Sequence, residues 1–239
     1  MLVNDWREDF MDLVSGCTSA NELFNKLIKI TLNLGFEFCS YGLKTHSPLA
    51  PTQYFLLSNY PSAWEKKYVA EDYFSQDPTV EHGLTRSIPM RWSAEQQSQR
   101  LAFWEEARHY NLNHGWCLSS QREYNTIGLL SVSRSGEHIS TAELESKETK
   151  LMWLTQLAHE SMTRFFADSP IPEKYKPLTA REKETLKWTA MGKTYVEISI
   201  ILNIDTRTVK FHLVNSMRKL QASNKAEAAV KASLMGLLF

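Results

Sequence analysis

The side chains best suited to binding a small molecule are concentrated in one segment, NYPSAWEKKYVAEDYFSQDP at residues 59–78. Tyr60, Trp64 and Tyr68 are spaced by four, which predicts three polar tips on one face of a helix. Asp77 supplies a carboxylate, and the proline after it is also typical of an N-cap at a helix start. Buried phenol, indole and carboxylate groups need partners, so a bound small molecule is one interpretation. The other is that the aromatics are core residues and Asp77 only caps a helix.

Basic and amide side chains recur near the end of the chain, in TRTVKFHLVNSMRKL at residues 206–220. We expect a helix there with one apolar face and one basic face. A shorter helix precedes it, and such a pair is typical of a helix-turn-helix whose Lys, Arg and Asn side chains meet phosphates and base edges. A helical bundle with a solvated charged face is the alternative. The expected DNA contacts are Lys193, Thr194, Tyr195, Thr206, Arg207, Thr208, Lys210, Phe211, His212, Asn215, Arg218 and Lys219.

Charge is unevenly distributed, although the net charge of the 239 residues is zero. Residues 1–172 carry 15 Lys and Arg against 21 Asp and Glu, whereas residues 177–239 carry 10 against 5. This asymmetry predicts that the basic part meets a polyanion such as nucleic acid. Three prolines between residues 168 and 177 end the preceding helix and predict an interdomain linker.

Several function classes are not indicated. The sequence has no GxSxG, HExxH, P-loop or GxGxxG pattern, and its cysteines and histidines are not spaced as metal ligands. We therefore expect no enzyme, no metal site and no cofactor. The first part of the chain also lacks the arrangement of a phosphorylation-controlled receiver domain, which needs an aspartate pair and a lysine on a parallel sheet.

No apolar run approaches ~20 residues and the acidic start is unlike a secretory signal, so we expect a cytoplasmic protein without membrane contact.

The elements that position these residues follow from periodicity and turn signals. The acidic part predicts an α/β/α sandwich on a mostly antiparallel sheet. Strands are expected at 36–43, 54–58, 115–120 and 126–133, with a hairpin turn near 123–125. Helices are expected at 5–14, 19–34, 62–70, 78–87, 96–110 and 141–166. The basic part predicts four short helices, so the fold class is α+β. Capping boxes are expected at Ser19–Glu22, Thr179–Glu182 and Thr194–Glu197.

The segment LTAREKETLKWTAMGKTYVEISIILNIDTRTVKFHLVNSMRKL (178–220) resembles the DNA-binding domain of LuxR-type transcription regulators. Glu182, Leu186 and Gly192 match the family's spacing. The stretches GFEFCSYG, FLLSNYPSAW, YFSQDPTVEHG and FWEEARHYNLNHGW resemble the family's autoinducer-binding domain, particularly that of the long-chain N-acyl-homoserine lactone receptors LasR and QscR. We expect a ligand-binding domain at 1–167, a linker at 168–177 and a DNA-binding domain at 178–239.

This resemblance implies a ligand-gated transcription regulator. It also implies that the ligand is an N-acyl-homoserine lactone and that the protein pairs as a homodimer on an inverted-repeat operator in double-stranded DNA. We expect the last helix, at 224–236, to contribute to the pairing. A regulator of the same family that responds to a different small molecule, or acts without ligand, is the alternative.

The resemblance also assigns ligand contacts residue by residue. The Trp64 indole donates to the lactone carbonyl, Asp77 accepts from the amide N–H, and the Tyr60 and Ser131 hydroxyls meet the acyl carbonyl. Tyr68, Trp92 and Gly115 match other signature positions of the family, while Leu56 and Thr79 depart from the QscR pattern. The remaining expected contacts are Ser40 and Thr79 for a 3-oxo group, and Phe103, Trp104, Leu112, Leu56 and Leu129 for the alkyl chain.

Overall fold

A computed structural model describes residues 6–45, 52–95, 100–122, 126–166 and 176–238. The chain divides into two compact units, one built from Met1–Thr45 with Gln53–Phe166 and one that contains Ala167–Phe239. The expected hairpin turn at 123–125 and most of the expected linker lie outside the described residues.

The first unit is built on a five-stranded sheet in the order β2-β1-β5-β4-β3, in which every neighbouring pair is antiparallel. Four strands were expected, and β3 was missed because four residues are too few to show alternation. The strands are β1 Phe38–Thr45, β2 Gln53–Ser58, β3 Met90–Ser93, β4 His114–Arg122 and β5 Thr126–Arg134.

Helices cover both faces of this sheet, as the sandwich prediction requires. One face carries the main core, in which Leu27, Tyr41, Trp116 and Leu154 are fully buried, and it packs against α1, α2 and α6. The opposite face packs against α3, α4 and α5. The helices are α1 Trp6–Val14, α2 Ala20–Asn33, α3 Ser62–Ala70, α4 Pro78–Thr85, α5 Leu101–His109 and α6 Thr141–Phe166, and a 3-10 turn spans Tyr73–Ser75.

The capping box expected at the start of α2 is only half formed. The Ser19 hydroxyl accepts the Glu22 N–H at 3.2 Å, as expected. The Glu22 carboxylate, however, bonds the Thr18 N–H at 2.9 Å instead of the Ser19 N–H. The prediction was therefore right about where the helix begins and wrong about the second hydrogen bond.

The second unit consists of α7 Ala180–Ala190, α8 Tyr195–Leu202, α9 Thr206–Lys219 and α10 Lys225–Leu234. Capping boxes open α7 and α8 as predicted, and Asn203 in the left-handed conformation (φ 50°) forms the turn between α8 and α9. Ile198 is the buried residue of α8, whereas Ile201 is 43% exposed.

Within the described residues, no helix has the length and apolar composition needed to span a bilayer. Those residues also contain no group of three or more His, Cys, Asp or Glu side chains able to hold a metal ion.

Candidate functional site

A cavity lies between the sheet and the helices α3, α4 and α5 of the first unit. Its volume is about 160 Å³, roughly ten times what a single water molecule needs. All of the ligand contacts expected from the sequence line this one cavity: Ser40, Leu56, Tyr60, Trp64, Tyr68, Asp77, Thr79, Trp92, Phe103, Trp104, Leu112, Leu129 and Ser131.

The strand register arranges the sheet side of the cavity in three rows across β2, β1 and β5. The polar row is Ser58, Ser40 and Ser131; the middle row is Leu56, Gly42 and Leu129; the outer row is Tyr54, Lys44 and Ile127. The polar row and the outer row are about 13 Å apart, since four strand residues separate them. Ser40 is 8% exposed, whereas Leu56 in the middle row and Tyr54 in the outer row are 53% and 51% exposed. The cavity therefore has a buried polar end, and beyond it the sheet side lies nearer the surface and is apolar apart from Lys44.

Asp77 lies at the polar end of the cavity and is also a helix cap. It caps α4, because its Oδ1 accepts the Thr79 N–H at 2.7 Å. The same oxygen accepts the Thr79 hydroxyl at 2.7 Å, and Oδ2 accepts the Tyr68 hydroxyl at 2.9 Å. Burial raises the pKa of Asp77 even though these hydrogen bonds act to lower it.

Tyr60 lies beside the two serines of the polar row. Its hydroxyl is 3.2 Å from the Ser40 Oγ, and burial raises the pKa of Tyr60 to about 12, opposed by hydrogen bonds from Ser40 and Ser131. The prediction that Tyr60 shares a helix face with Trp64 and Tyr68 is wrong, because α3 begins at Ser62. Tyr60 reaches the cavity from the connection after β2 instead.

Aromatic side chains enclose the polar end. Trp64 is 5.9 Å from Phe103, and Trp92 is 5.2 Å from Trp104, between ring centroids. The indole nitrogens of Trp92 and Trp104 are buried without a hydrogen-bond partner among the described residues. Both indoles line the cavity, so a polar ligand there is a suitable acceptor for them.

Three of the residues expected to hold the alkyl chain lie near the polar end of the cavity instead. Phe103, Trp104 and Leu112 pack in one cluster with Trp64 and Cys117, and Cys117 pairs with Ser131 of the polar row. The sequence could not separate the two ends, because strand pairing determines which residues lie side by side. Leu56 and Leu129 do lie in the apolar part, in the middle row.

Gly115 has a steric reason to be glycine. A Cβ there would lie 2.2 Å from the Trp92 ring, its partner residue on β3, and 2.6 Å from a backbone oxygen of Val132. Trp92 reaches its position in the cavity wall only because Gly115 has no side chain.

Several cavity residues were not expected from the sequence. The alternation of β1, β2 and β5 would have identified those on the strands once one residue of each strand was placed. The additional residues are Gly42, Leu43, Lys44, Tyr54, Phe55, Ser58, Glu65, Phe74, Val80, Gly83, Leu84, Ala107 and Ile127.

The second unit presents the basic face expected of α9. Arg207, Lys210 and Arg218 are exposed, and Phe211 is 62% exposed beside them. Thr206 is exposed too, whereas Thr208, His212 and Asn215 are half-buried. Asn215 Oδ1 accepts a hydrogen bond from Arg218 at 3.1 Å. The geometry fits a helix that presents cationic and amide groups to nucleic acid.

The start of α8 is the second expected contact region. Thr194 is exposed and caps the helix, and Lys193 pairs with Glu197 at 3.6 Å. The Tyr195 ring lies 5.2 Å below the Lys225 ammonium. Backbone N–H groups at a helix start are suitable phosphate donors.

Lys219 does not share the exposed face of α9, which corrects the sequence prediction. Its Nζ lies 2.7 Å from Glu182 Oε2, and the two side chains are 18% and 5% exposed. Burial opposes the charged form of Glu182, yet Lys219 and the Thr179 N–H together hold its pKa below the ordinary value. Lys219 therefore joins α9 to α7 inside the unit.

Two protein families match this chain. The autoinducer binding domain matches residues 19–162, and the luxR family of bacterial regulatory proteins matches residues 176–232. The chain belongs to the LuxR family of bacterial regulatory proteins. The two matches fall in the two units, one with the cavity and one with the helix-turn-helix.

LuxR-family relatives align along nearly the whole chain. The transcriptional activator AnoR of Acinetobacter nosocomialis is 39% identical, covering 99% of this chain and 100% of AnoR. The transcriptional activator SolR of Ralstonia nicotianae is 37% identical, covering 91% and 92%. RhlR of Pseudomonas aeruginosa, an HTH-type quorum-sensing regulator, is 33% identical, covering 90% and 89%. These relatives are regulators, in line with the expectation of a non-enzymatic function.

Solved structures support the same LuxR-family fold. A crystal structure of Escherichia coli SdiA matches with a TM-score of 0.76 at 26% identity and covers 98% of both chains. A complex of SdiA with octanoyl-rac-glycerol matches with a TM-score of 0.74 at 27% identity, covering 98% of this chain and 95% of that one. The predicted α+β class, a sandwich followed by a helix-turn-helix domain, is confirmed.

Proposed function

We propose that this protein is a quorum-sensing transcription regulator that binds a long-chain N-acyl-homoserine lactone and, with it, an inverted-repeat operator as a homodimer. The observation that carries the proposal is the polarity of the cavity, with hydrogen-bonding groups at the buried end and an apolar extension about 13 Å long. A ligand made of a polar head group and an acyl chain is divided in the same way into a polar and an apolar part. RhlR, a similar protein, is a quorum-sensing regulator.

The polar end offers one suitable partner for each polar group of such a ligand. Trp64 lines the cavity, and its indole N–H suits the lactone carbonyl because an indole only donates. The Asp77 carboxylate suits the amide N–H, and the paired Tyr60 and Ser131 hydroxyls suit the acyl carbonyl. Ser40 and Thr79 border the same region, where a 3-oxo group would lie.

The length of the apolar part favours a long acyl chain. Leu56 and Leu129 line the middle row, and Tyr54 and Ile127 continue it toward the surface. This supports, as a prediction, a likeness in ligand preference to the LasR and QscR receptors. A short-chain ligand would leave the middle and outer rows uncovered.

DNA binding is proposed for the second unit, through the exposed basic face of α9 and the start of α8. We place the ligand-binding domain at 1–167, the linker at 168–177 and the DNA-binding domain at 178–239. The dimer is proposed to use the exposed face of α10, where Val230 is 57% and Leu234 40% exposed. A regulator that acts on chromosomal DNA works in the cytoplasm.

A fluorescence anisotropy titration tests the proposal as a whole. The protein is purified with and without N-dodecanoyl-homoserine lactone and titrated into a labelled inverted-repeat duplex, with a single half-site as the control. We expect tight binding only with ligand and only to the full repeat, and a dimer by light scattering. Equal affinity for the half-site, or no response to the lactone, contradicts the proposal.

A second candidate ligand follows from the SdiA complex, whose ligand is an acylglycerol and not a lactone. An acylglycerol carries hydroxyl groups and an ester carbonyl, which would suit the polar end of this cavity. Mass spectrometry of small molecules extracted from the purified protein distinguishes the two ligand classes.

A further inference from the structure

Gly42 lies at the centre of the sheet side of the cavity. It pairs with Leu56 on one side and with Leu129 on the other, so it separates the polar row from the outer row. Any ligand that extends from Ser40 to Lys44 passes over Gly42, because these three residues are alternate positions on one strand.

The space above Gly42 is open. A Cβ placed there would meet no atom within 4 Å, and the backbone is outside the left-handed region that only glycine tolerates well. A larger side chain at this position therefore needs no backbone strain and would project directly into the cavity. It would fill the part of the cavity beyond the polar row.

The other glycine that lines the cavity differs in this respect. A Cβ at Gly83 would lie 2.8 Å from the Leu129 Cδ1, so α4 contacts the middle row closely there. Gly83 is one helical turn after Thr79, about 6 Å, and the middle row is two strand residues beyond the polar row, about 7 Å. Helix α4 and the sheet thus enclose the same stretch of the cavity from the polar row to the middle row. This stretch is narrow between Gly83 and Leu129 and open over Gly42.

Two aromatic rings limit this path at its outer end. Tyr54 and Phe74 pack edge to face with ring centroids 4.7 Å apart, and the Lys44 ammonium lies 5.8 Å from the Tyr54 ring. Both rings line the cavity. A chain that extends along β1 beyond Gly42 therefore comes to this pair.

We propose that Gly42 determines the acyl-chain length that the cavity accepts, because it leaves open the space between the polar row and the Tyr54–Phe74 pair. The proposal rests on the proposed function. A lactone with a short chain ends before Gly42, whereas a long chain lies across it.

The test is the affinity of Gly42→Leu and Gly42→Ala for N-butanoyl- and N-dodecanoyl-homoserine lactone, by isothermal titration calorimetry on the full chain. Each methylene of the acyl chain that the new side chain excludes from the cavity costs about fourfold in affinity. The leucine should therefore weaken dodecanoyl binding on the order of a hundredfold. Alanine should weaken it only a few-fold. Butanoyl binding should stay within about twofold in both variants, and it also reports that the protein is folded.

Gly136→Leu is the matched control. A Cβ at Gly136 also meets nothing within 4 Å, but this residue is exposed and does not line the cavity. It should leave both affinities unchanged. Undiminished dodecanoyl binding by Gly42→Leu overturns the proposal, and if that variant does not fold, undiminished binding by Gly42→Ala does so. If the wild-type chain binds neither lactone, the proposed function fails instead.

Discussion

The Tyr68 hydroxyl donates a hydrogen bond to Asp77 Oδ2 at 2.9 Å and thereby joins the last turn of α3 to the N-cap of α4. With the two Thr79 donors on Oδ1, the carboxylate has three partners from the protein itself. The carboxylate is therefore held in place by hydrogen bonds within the protein even without a ligand. A ligand amide would be a further donor to a carboxylate that is already oriented.

Asp77→Asn should abolish most of the thermal stabilisation by ligand. A ligand that binds only the folded state stabilises it by about 2.7 kcal/mol at a hundredfold excess over Kd. Asparagine keeps the capping ability but offers a weaker, neutral acceptor to the ligand amide. Differential scanning fluorimetry with N-dodecanoyl-homoserine lactone should show little change in ligand-free Tm and a largely lost shift. A full shift in this variant would mean that Asp77 only caps α4.

Ligand affinity should weaken as the pH falls through the raised pKa of Asp77. Burial favours the neutral acid in the ligand-free protein, whereas a ligand amide N–H favours the carboxylate, so binding releases a proton in this range. For the same reason the free energy of unfolding without ligand should decrease as the pH rises from the ordinary Asp value, 3.8, through the raised value. Calorimetric titrations at a series of pH values measure the first effect and thermal melts the second. Both should disappear in Asp77→Asn.

Trp64→Phe tests the donor at the other side of the ligand head group. Phenylalanine retains packing against Phe103 and Tyr68 but removes the indole N–H. Losing one hydrogen bond should cost about 1 kcal/mol, or roughly fivefold in affinity for the lactone. The control ligand is the ring-opened acyl-homoserine, whose weaker binding should change less. An unchanged affinity for both would remove Trp64 from the proposed contacts.

Lys210 and Lys219 should behave differently when each is replaced by alanine. Lys210 is exposed on α9, so its loss should weaken binding to all DNA sequences and lower the salt dependence by about one counterion. Lys219 pairs with the buried Glu182, so its loss should lower the free energy of unfolding by about 1–3 kcal/mol. Anisotropy at several salt concentrations and thermal melts separate the two effects. Equal effects of both variants on melting would contradict this division of roles.

The sequence by itself determined the features that depend on interactions between residues close together in the chain. The capping boxes at Thr179 and Thr194 and the helix at 141–166 are set by neighbouring residues, and each forms where it was expected. Residue type and family resemblance also selected side chains that line one cavity, and their contact with a ligand stays a prediction. None of these features depends on which strands pair.

Tertiary structure decided how those residues are distributed. Strand register places Leu56 in the apolar part of the cavity and Phe103 packs at the polar end, a division that depends on residues far apart in the chain. Lys219 faces Glu182, 37 positions earlier and on another helix, a partner that no spacing within α9 indicates. The physical reason is the same in these cases. Hydrogen bonding between strands and packing between helices join residues that are far apart in the chain, so the sequence around one residue does not identify its partner.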